Sequence, residues 1–201
     1  FLVVADMPKA LMGITAVTWD GGILIPGGGW YYGWELRDVQ IYYPDRAQGV
    51  MPFCSCDEGG ACGNHESGAG CRNSTGVGGV LSADGTTSLA ADDLVLTASR
   101  LPAYELAFAW LGKSEVDLAF GDGRRCVAGG AGAFFRYPAA STNAHGALVL
   151  GAGLFAGASG CNLCDFTPGS TWSFQLAYRD PLGPCGLGLN ATNALAVSLA
   201  P

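Results

Sequence analysis

Lysine is nearly absent from this chain: Lys9 and Lys113 are the only two in 201 residues. Charged residues of all kinds make up 13%, against roughly 25% in ordinary soluble domains. The 10 basic residues are outnumbered by 17 acidic ones, for a net charge of −7. That balance excludes nucleic acid as a partner, because such a surface cannot neutralise phosphates. It disfavours anionic membranes for the same reason. Histidine occurs twice, at positions 65 and 145, and no Gly-x-Ser-x-Gly elbow is present. A Ser-His-Asp centre therefore has no visible parts, and His65 and His145 read as exposed loop residues. Glutamate stands only at positions 35, 58, 66, 105 and 115.

Long apolar helices are missing too. The uncharged stretch Gly146–Cys164 is Gly-rich and ends in a Cys pair, so it reads as strand, turn and strand rather than a membrane span. Asp6, Pro8 and Lys9 interrupt the apolar opening between Phe1 and Trp19, which is not the pattern of an uncleaved signal peptide. Any export signal is expected to have been removed ahead of Phe1.

What the chain does have is glycine, 32 residues of it, with 10 prolines. Both punctuate chains that turn often. Hydrophobic residues reach 49% and mean hydropathy is +0.27. So little charge over so much apolar composition leaves a sticky surface, which other subunits or a coat of sugar would cover. Two sequons, at Asn73 and Asn190, offer attachment points for sugar.

Eight cysteines, at 54, 56, 62, 71, 126, 161, 164 and 185, point to an oxidising compartment, hence to a secreted, extracellular or cell-surface protein. Four of them crowd between Cys54 and Cys71. Local disulfides bracing a Gly-rich loop are expected there. The competing reading is a zinc site of four thiolates, or three with His65, but C-x-C-x5-C-x8-C lacks the repeated C-x2-C of zinc ribbons. Cys161 and Cys164 form C-x-x-C without the strand-to-helix context of a redox motif, so a small loop closed by a Cys161–Cys164 disulfide is expected. Cys126 and Cys185 are left over, and the entropy of closing a long loop favours pairing them.

Residues 1–50 contain no cysteine and three of the five tryptophans. They read as an N-terminal β segment in which residues 23–44 give strand, Gly turn and strand. The apolar end Phe1, Leu2, Val3, Val4 and Ala5 is either a core strand or a strand lent to a neighbouring subunit. Residues 51–201 read as one Cys-containing domain of short strands separated by frequent turns. Alternation is clear in Leu94, Leu96 and Ala98, with Val95 and Thr97 opposite, and again in Trp172, Phe174, Leu176 and Tyr178. The fold class is all-β: a β-sandwich or jelly roll with disulfide-braced, Gly-rich loops.

Several segments occur in a characteristic order: CGN and GAGCRNS, then DDLVLTAS, FGDGRRC, a Gly-Gly and an Arg-Tyr-Pro, PGSTWSFQLAYRDP and GLNATNALAVSLAP. In this the chain resembles a β-rich module found at the C-terminal ends of large secreted proteins of planctomycete-type bacteria. The resemblance covers about residues 53–201. Members often have Trp where Leu176 and Ala177 stand. The resemblance implies export and a β fold, and it implies no activity.

Candidate sites follow from residue chemistry. Asp57, Asp92, Asp93 and Asp122 are hard oxygen ligands near Gly-rich turns and are candidates for a structural calcium ion; the competing role is capping turns through the backbone. No other cofactor is expected. Clustered Trp30, Tyr31, Tyr32 and Trp34 would stack on sugar rings, or fill a core. Glu35, Glu105 and Glu115 are the carboxylates that a glycosidase would use. Arg179 and Asp180 suggest an ion pair at a strand end. The expectation from all this is a non-catalytic structural subunit of an extracellular filament or surface assembly, which associates with itself or with other surface proteins. The alternative is a carbohydrate- or surface-binding adhesive module, and a glycoside hydrolase ranks below both.

Overall fold

The computed structural model describes residues 17–19, 22–29 and 35–42 by their backbone, together with residues 49–201. The chain divides into two compact units, Phe1–Gln48 and Gly49–Pro201. The boundary read from sequence shifts by two residues, because Val50 opens a strand that pairs with Val197 in the second unit.

The first unit contains β1 (Val17–Trp19), β2 (Gly22–Gly29) and β3 (Glu35–Tyr42), an antiparallel sheet in that order. β2 and β3 are the two strands expected within residues 23–44. Their register slips between Pro26 and Gly28; a proline has no N–H to give to a ladder. Phe1 to Ala5, and Trp30, Tyr31, Tyr32 and Trp34, lie outside the described residues.

The second unit is all-β apart from a few short turns. Its strands are β4 (Val50–Phe53), β5 (Val80–Asp84), β6 (Val95–Ser99), β7 (Leu106–Gly112), β8 (Ser114–Phe120) and β9 (Gly123–Ala128). They continue with β10 (Phe134–Arg136), β11 (Ala140–Ser141), β12 (Leu148–Leu150), β13 (Thr171–Asp180) and β14 (Gly188–Ser198). The main sheet runs β10-β7-β13-β14-β4, with β11 also on β7; a three-stranded sheet runs β12-β6-β5; and β8 pairs with β9 as a hairpin. Every pairing between these strands is antiparallel.

Alternation decides which residues go inside. On β13, Trp172, Phe174, Leu176 and Tyr178 are all buried, as are Ala107, Ala109 and Leu111 on β7 and Leu96 and Ala98 on β6. The side chain of Asn193 ties the two sheets: its Oδ1 accepts from Leu81 N–H at 2.8 Å and its Nδ2 donates to Leu81 C=O at 3.1 Å. A side-chain amide thus stands in for a strand's backbone where the ladder cannot continue. On the other face of the main sheet, β9 covers a second, smaller core of Trp110, Cys126, Val127, Ala177 and Ala194.

The stretch read as strand, turn and strand is instead strand, turn and a single helical turn, α1 (Leu154–Gly157). Gly153 enters it at φ +86°, and Asp92 caps it by accepting from Phe155 N–H at 3.2 Å and Ala156 N–H at 3.0 Å. Apolar runs of this length suit either state, and a cap held 63 residues away in sequence decides it here.

All eight cysteines are paired: Cys54–Cys126, Cys56–Cys71, Cys62–Cys185 and Cys161–Cys164. The Cys126–Cys185 pairing is therefore corrected, and the Cys54–Cys71 loop is not a knot of local bridges, since only Cys56–Cys71 closes within it. Loop entropy could not have chosen, because the two observed long bridges close loops over 72 and 123 residues and each is favoured on that ground. Strand placement chooses. Cys54 follows β4 and meets Cys126 on β9, while Cys185 sits in the loop after β13, beside Cys62. Four disulfides suit an oxidising, non-cytoplasmic compartment. Among the described residues no helix is long and apolar enough to cross a membrane.

Candidate functional site

Several of the ordered sequence segments converge on one buried polar cluster. Asp122, in the tight turn between β8 and β9, is fully buried. Its carboxylate accepts from Cys185 N–H at 3.0 Å and Leu187 N–H at 2.9 Å. Asp180, at the end of β13, is also fully buried and accepts from Ser74 N–H at 3.1 Å. The expected Arg179–Asp180 ion pair is thus replaced: alternation along β13 sends Arg179 outward and Asp180 inward. Asn64 donates to the backbone carbonyls of Asp122 and Arg72, and Asn190 donates to those of Cys71 and Arg72. Gly183 makes the cluster possible. A Cβ there would lie 2.2 Å from Asp122 Oδ2 and 2.7 Å from Asp180 Oδ2.

Two of the other calcium candidates also accept backbone hydrogen bonds. Asp92 caps α1. Asp93 accepts from the Thr86 hydroxyl and N–H, and those bonds hold its carboxyl below its ordinary pKa. Asp57 stands apart and exposed. Among the described residues, no three His, Cys, Asp or Glu side chains gather as metal ligands would. Both sequon asparagines are buried as well, Asn73 at 2% and Asn190 at 0% exposure.

An open cleft of about 620 Å³ lies between the Cys-rich loop and the β8–β9 hairpin. Phe53 and the Cys54–Cys126 disulfide contribute its apolar lining, and Asp57, Glu58, Glu115 and Asp117 bring carboxylates. Covalent links fix the loop wall, since Cys54 and Cys56 are each tied by a disulfide. On the hairpin wall, the β8–β9 register breaks between Glu115 and Leu118, and Val116 and Asp117 of this irregular stretch line the cleft.

Arg124 joins the walls. It forms a two-point ion pair with Asp117, with Nε donating to Oδ1 at 2.8 Å and Nη2 to Oδ2, and its Nη1 donates to the Glu58 carbonyl at 3.3 Å. The Asp117 hydrogen bonds hold the guanidinium pKa above its ordinary value. Gly59, at φ +76°, leaves the space this needs, because a Cβ would sit 1.8 Å from Arg124 Nη1. Asp57, Glu58 and Glu115 have no cationic partner among the described residues, so the cleft suits a cationic group.

The structure thus brings Asp57 and Glu115 together, one a calcium candidate and one a glycosidase candidate. It does not bring Glu115 and Glu105 together: Glu105 precedes β7 and Glu115 lies on β8, past its other end, and the seven residues of β7 span about 20 Å, beyond the roughly 10 Å that a glycosidase pair tolerates. Glu35 opens β3 in the other unit. His65 and His145 lie in exposed loops. Sequence reasoning missed Arg124 and Gln175. Gln175 is fully buried at the centre of the main sheet and bonds to Cys126 N–H and to the carbonyls of Arg124 and Thr192. Its only signal was polarity at a position where an outward residue was expected. No protein-family model, curated protein or solved structure matches the chain.

Proposed function

We propose that this protein is a non-catalytic structural subunit of an extracellular assembly, and that it works by associating with copies of itself. The supporting observation is a set of large apolar side chains left on the surface of a covalently braced frame. Met51, Tyr104, Leu118, Leu163, Leu182 and Leu187 are all exposed, while four disulfides tie the same unit together. A rigid β frame loses little entropy on packing against a neighbour, and exposed apolar surface supplies the drive. Secretion, cell-surface placement and kinship with the planctomycete-type module belong to the same proposal.

Electron microscopy of the natively isolated, untagged and unreduced protein tests it. Ordered fibres or lattices are expected, and dispersed monomers at every concentration would overturn it. The cleft supports a second reading, an adhesive module that takes a surface ligand. A glycan array with the monomeric protein separates the two.

A further inference from the structure

Within the second unit, the described residues cover only part of the outer face of the main sheet. β9 lies over Trp110, Ala177 and Ala194. Beyond it, one row stays open. Arg179 is exposed and pairs across the ladder with Leu189, which is 38% exposed; Leu106, 47% exposed, follows the Tyr178–Ala107 pair on β7, on the other side of Arg179. Next to this row, the exposed Arg136 lays its guanidinium 3.8 Å from the centroid of the Phe108 ring. Stacking of this kind holds the cation in a fixed place without neutralising it. No carboxylate among the described residues pairs with Arg136 or Arg179. In a chain of net charge −7, this is an apolar strip carrying positive charge.

The acidic cleft lies elsewhere on the same unit. Phe53 of β4 lines it, and β4 is the edge strand at the far side of the sheet from β10, which carries Arg136. Two copies could meet in three ways. Strip against strip sets Arg136 and Arg179 against arginines. Cleft against cleft sets Glu58 and Glu115 against carboxylates. Like charges placed opposite each other repel, so only strip against cleft is complementary. That contact uses different surfaces on the two partners, and leaves a cleft free on one copy and a strip free on the other. A heterologous contact of this type continues into a ring or an open filament rather than stopping at a dimer.

We infer that the strip formed by Leu106, Phe108, Arg136, Arg179 and Leu189 docks head to tail on the Asp57–Glu58–Glu115 cleft of a second copy of this chain. The inference rests on the self-association reading above and gives it a geometry.

The test is sedimentation velocity on the full-length, oxidised protein across a concentration series, for the wild type and two charge reversals. R136E/R179E makes both surfaces acidic, and E58K/E115K makes both basic. Each variant alone is expected to raise the concentration of half-assembly at least tenfold. An equal mixture of the two is expected to assemble again, because each variant's strip then faces a cleft of opposite sign. Non-reducing mass and circular dichroism confirm folding, and R136Q/R179Q replaces the first variant if the reversal does not fold. Wild-type assemblies that neither variant weakens would overturn the strip-and-cleft contact and leave self-association standing. Wild-type monomers at every concentration would overturn self-association, and this contact with it.

Discussion

Asn73 donates its side-chain amide to the hydroxyl of Tyr178, at 3.1 Å and across 105 residues of chain. The same Nδ2 donates to Arg100 C=O at 2.8 Å, and Oδ1 accepts from both the N–H and the hydroxyl of Thr75. An asparagine engaged in this way is a joint between the Cys-rich loop, the end of β6 and the central strand β13. It has no room for a sugar. Protein secreted from a glycosylating host is therefore expected to show the unmodified mass at both Asn73 and Asn190. A glycan on either residue of a folded, protease-resistant sample would contradict their burial. Asn73→Ala should cost about 2–4 kcal/mol in urea unfolding, because it leaves buried partners without a bond.

The elements that were legible in the sequence are those with local causes. Alternation from Trp172 to Tyr178 and from Leu94 to Ala98 located the inner faces of β13 and β6, since side-chain direction in a strand follows from spacing alone. The even cysteine count pointed to disulfides, and all eight cysteines are paired. The partners of Cys126 and Cys185, the burial of Asp180 and the cap on α1 depend on contacts between residues far apart in the chain, and spacing carries no information about those. The cleft was half legible. Asp57 and Glu115 stood out as carboxylates, but the hairpin that brings them to one opening is a tertiary feature.

Gln175 ought to be among the costliest single sites in the second unit. Its amide serves β9, β13 and β14 at once through Cys126 N–H, Arg124 C=O and Thr192 C=O, at 2.8, 2.9 and 2.9 Å. Gln175→Ala strands these buried groups, each worth about 1–3 kcal/mol when unpaired, and opens a cavity as well. The expected loss is about 3–5 kcal/mol in urea unfolding. A loss below about 1 kcal/mol would show that water reaches the site.

Gly183 offers a sharper steric test. The missing Cβ keeps the loop after β13 clear of Asp122 and Asp180, and any side chain would push into oxygens 2.2 and 2.7 Å away. Gly183→Ala is expected to lower stability by about 1–3 kcal/mol, the usual range for overpacking. Gly151, whose Cβ would meet nothing within 4 Å and whose φ, like that of Gly183, is not positive, is the control for loss of a glycine without a clash.

The disulfide pattern can be read directly by non-reducing peptide mapping. Cys54–Cys126 and Cys62–Cys185 fragments are expected, and a Cys126–Cys185 fragment would refute the observed strand placement. Taken singly, loss of the Cys62–Cys185 bridge, which spans 123 residues, should cost about 5 kcal/mol in the chain-entropy account. Loss of Cys161–Cys164, which spans 3, should cost about 2 kcal/mol. Equal losses would mean that the bridges act through the folded state rather than through the unfolded chain.

Alkaline pH probes the core through its phenols. Burial raises the pKa of Tyr178 and of Tyr137 well above the ordinary tyrosine range, and the nearby carboxylates Asp180 and Asp92 add to the two shifts; the bond from Asn73 offsets part of the rise at Tyr178. In the unfolded chain both phenols ionise near pH 10. A group whose folded pKa is the higher one contributes stability that is complete below its unfolded pKa. That contribution is lost as pH rises from there through the folded pKa, because the unfolded state gains by releasing a proton the folded state retains. Stability should therefore fall steadily above about pH 10. A spectrophotometric titration should show the Tyr137 and Tyr178 phenols resisting ionisation until the fold gives way. Tyr178→Phe removes one of these groups and should flatten the alkaline slope, at a cost of about 1 kcal/mol at neutral pH for the lost Asn73 bond. If the slope is unchanged in Tyr178→Phe and in Tyr137→Phe, other groups govern alkaline unfolding, and neither hydroxyl is as buried as its position between the sheets requires.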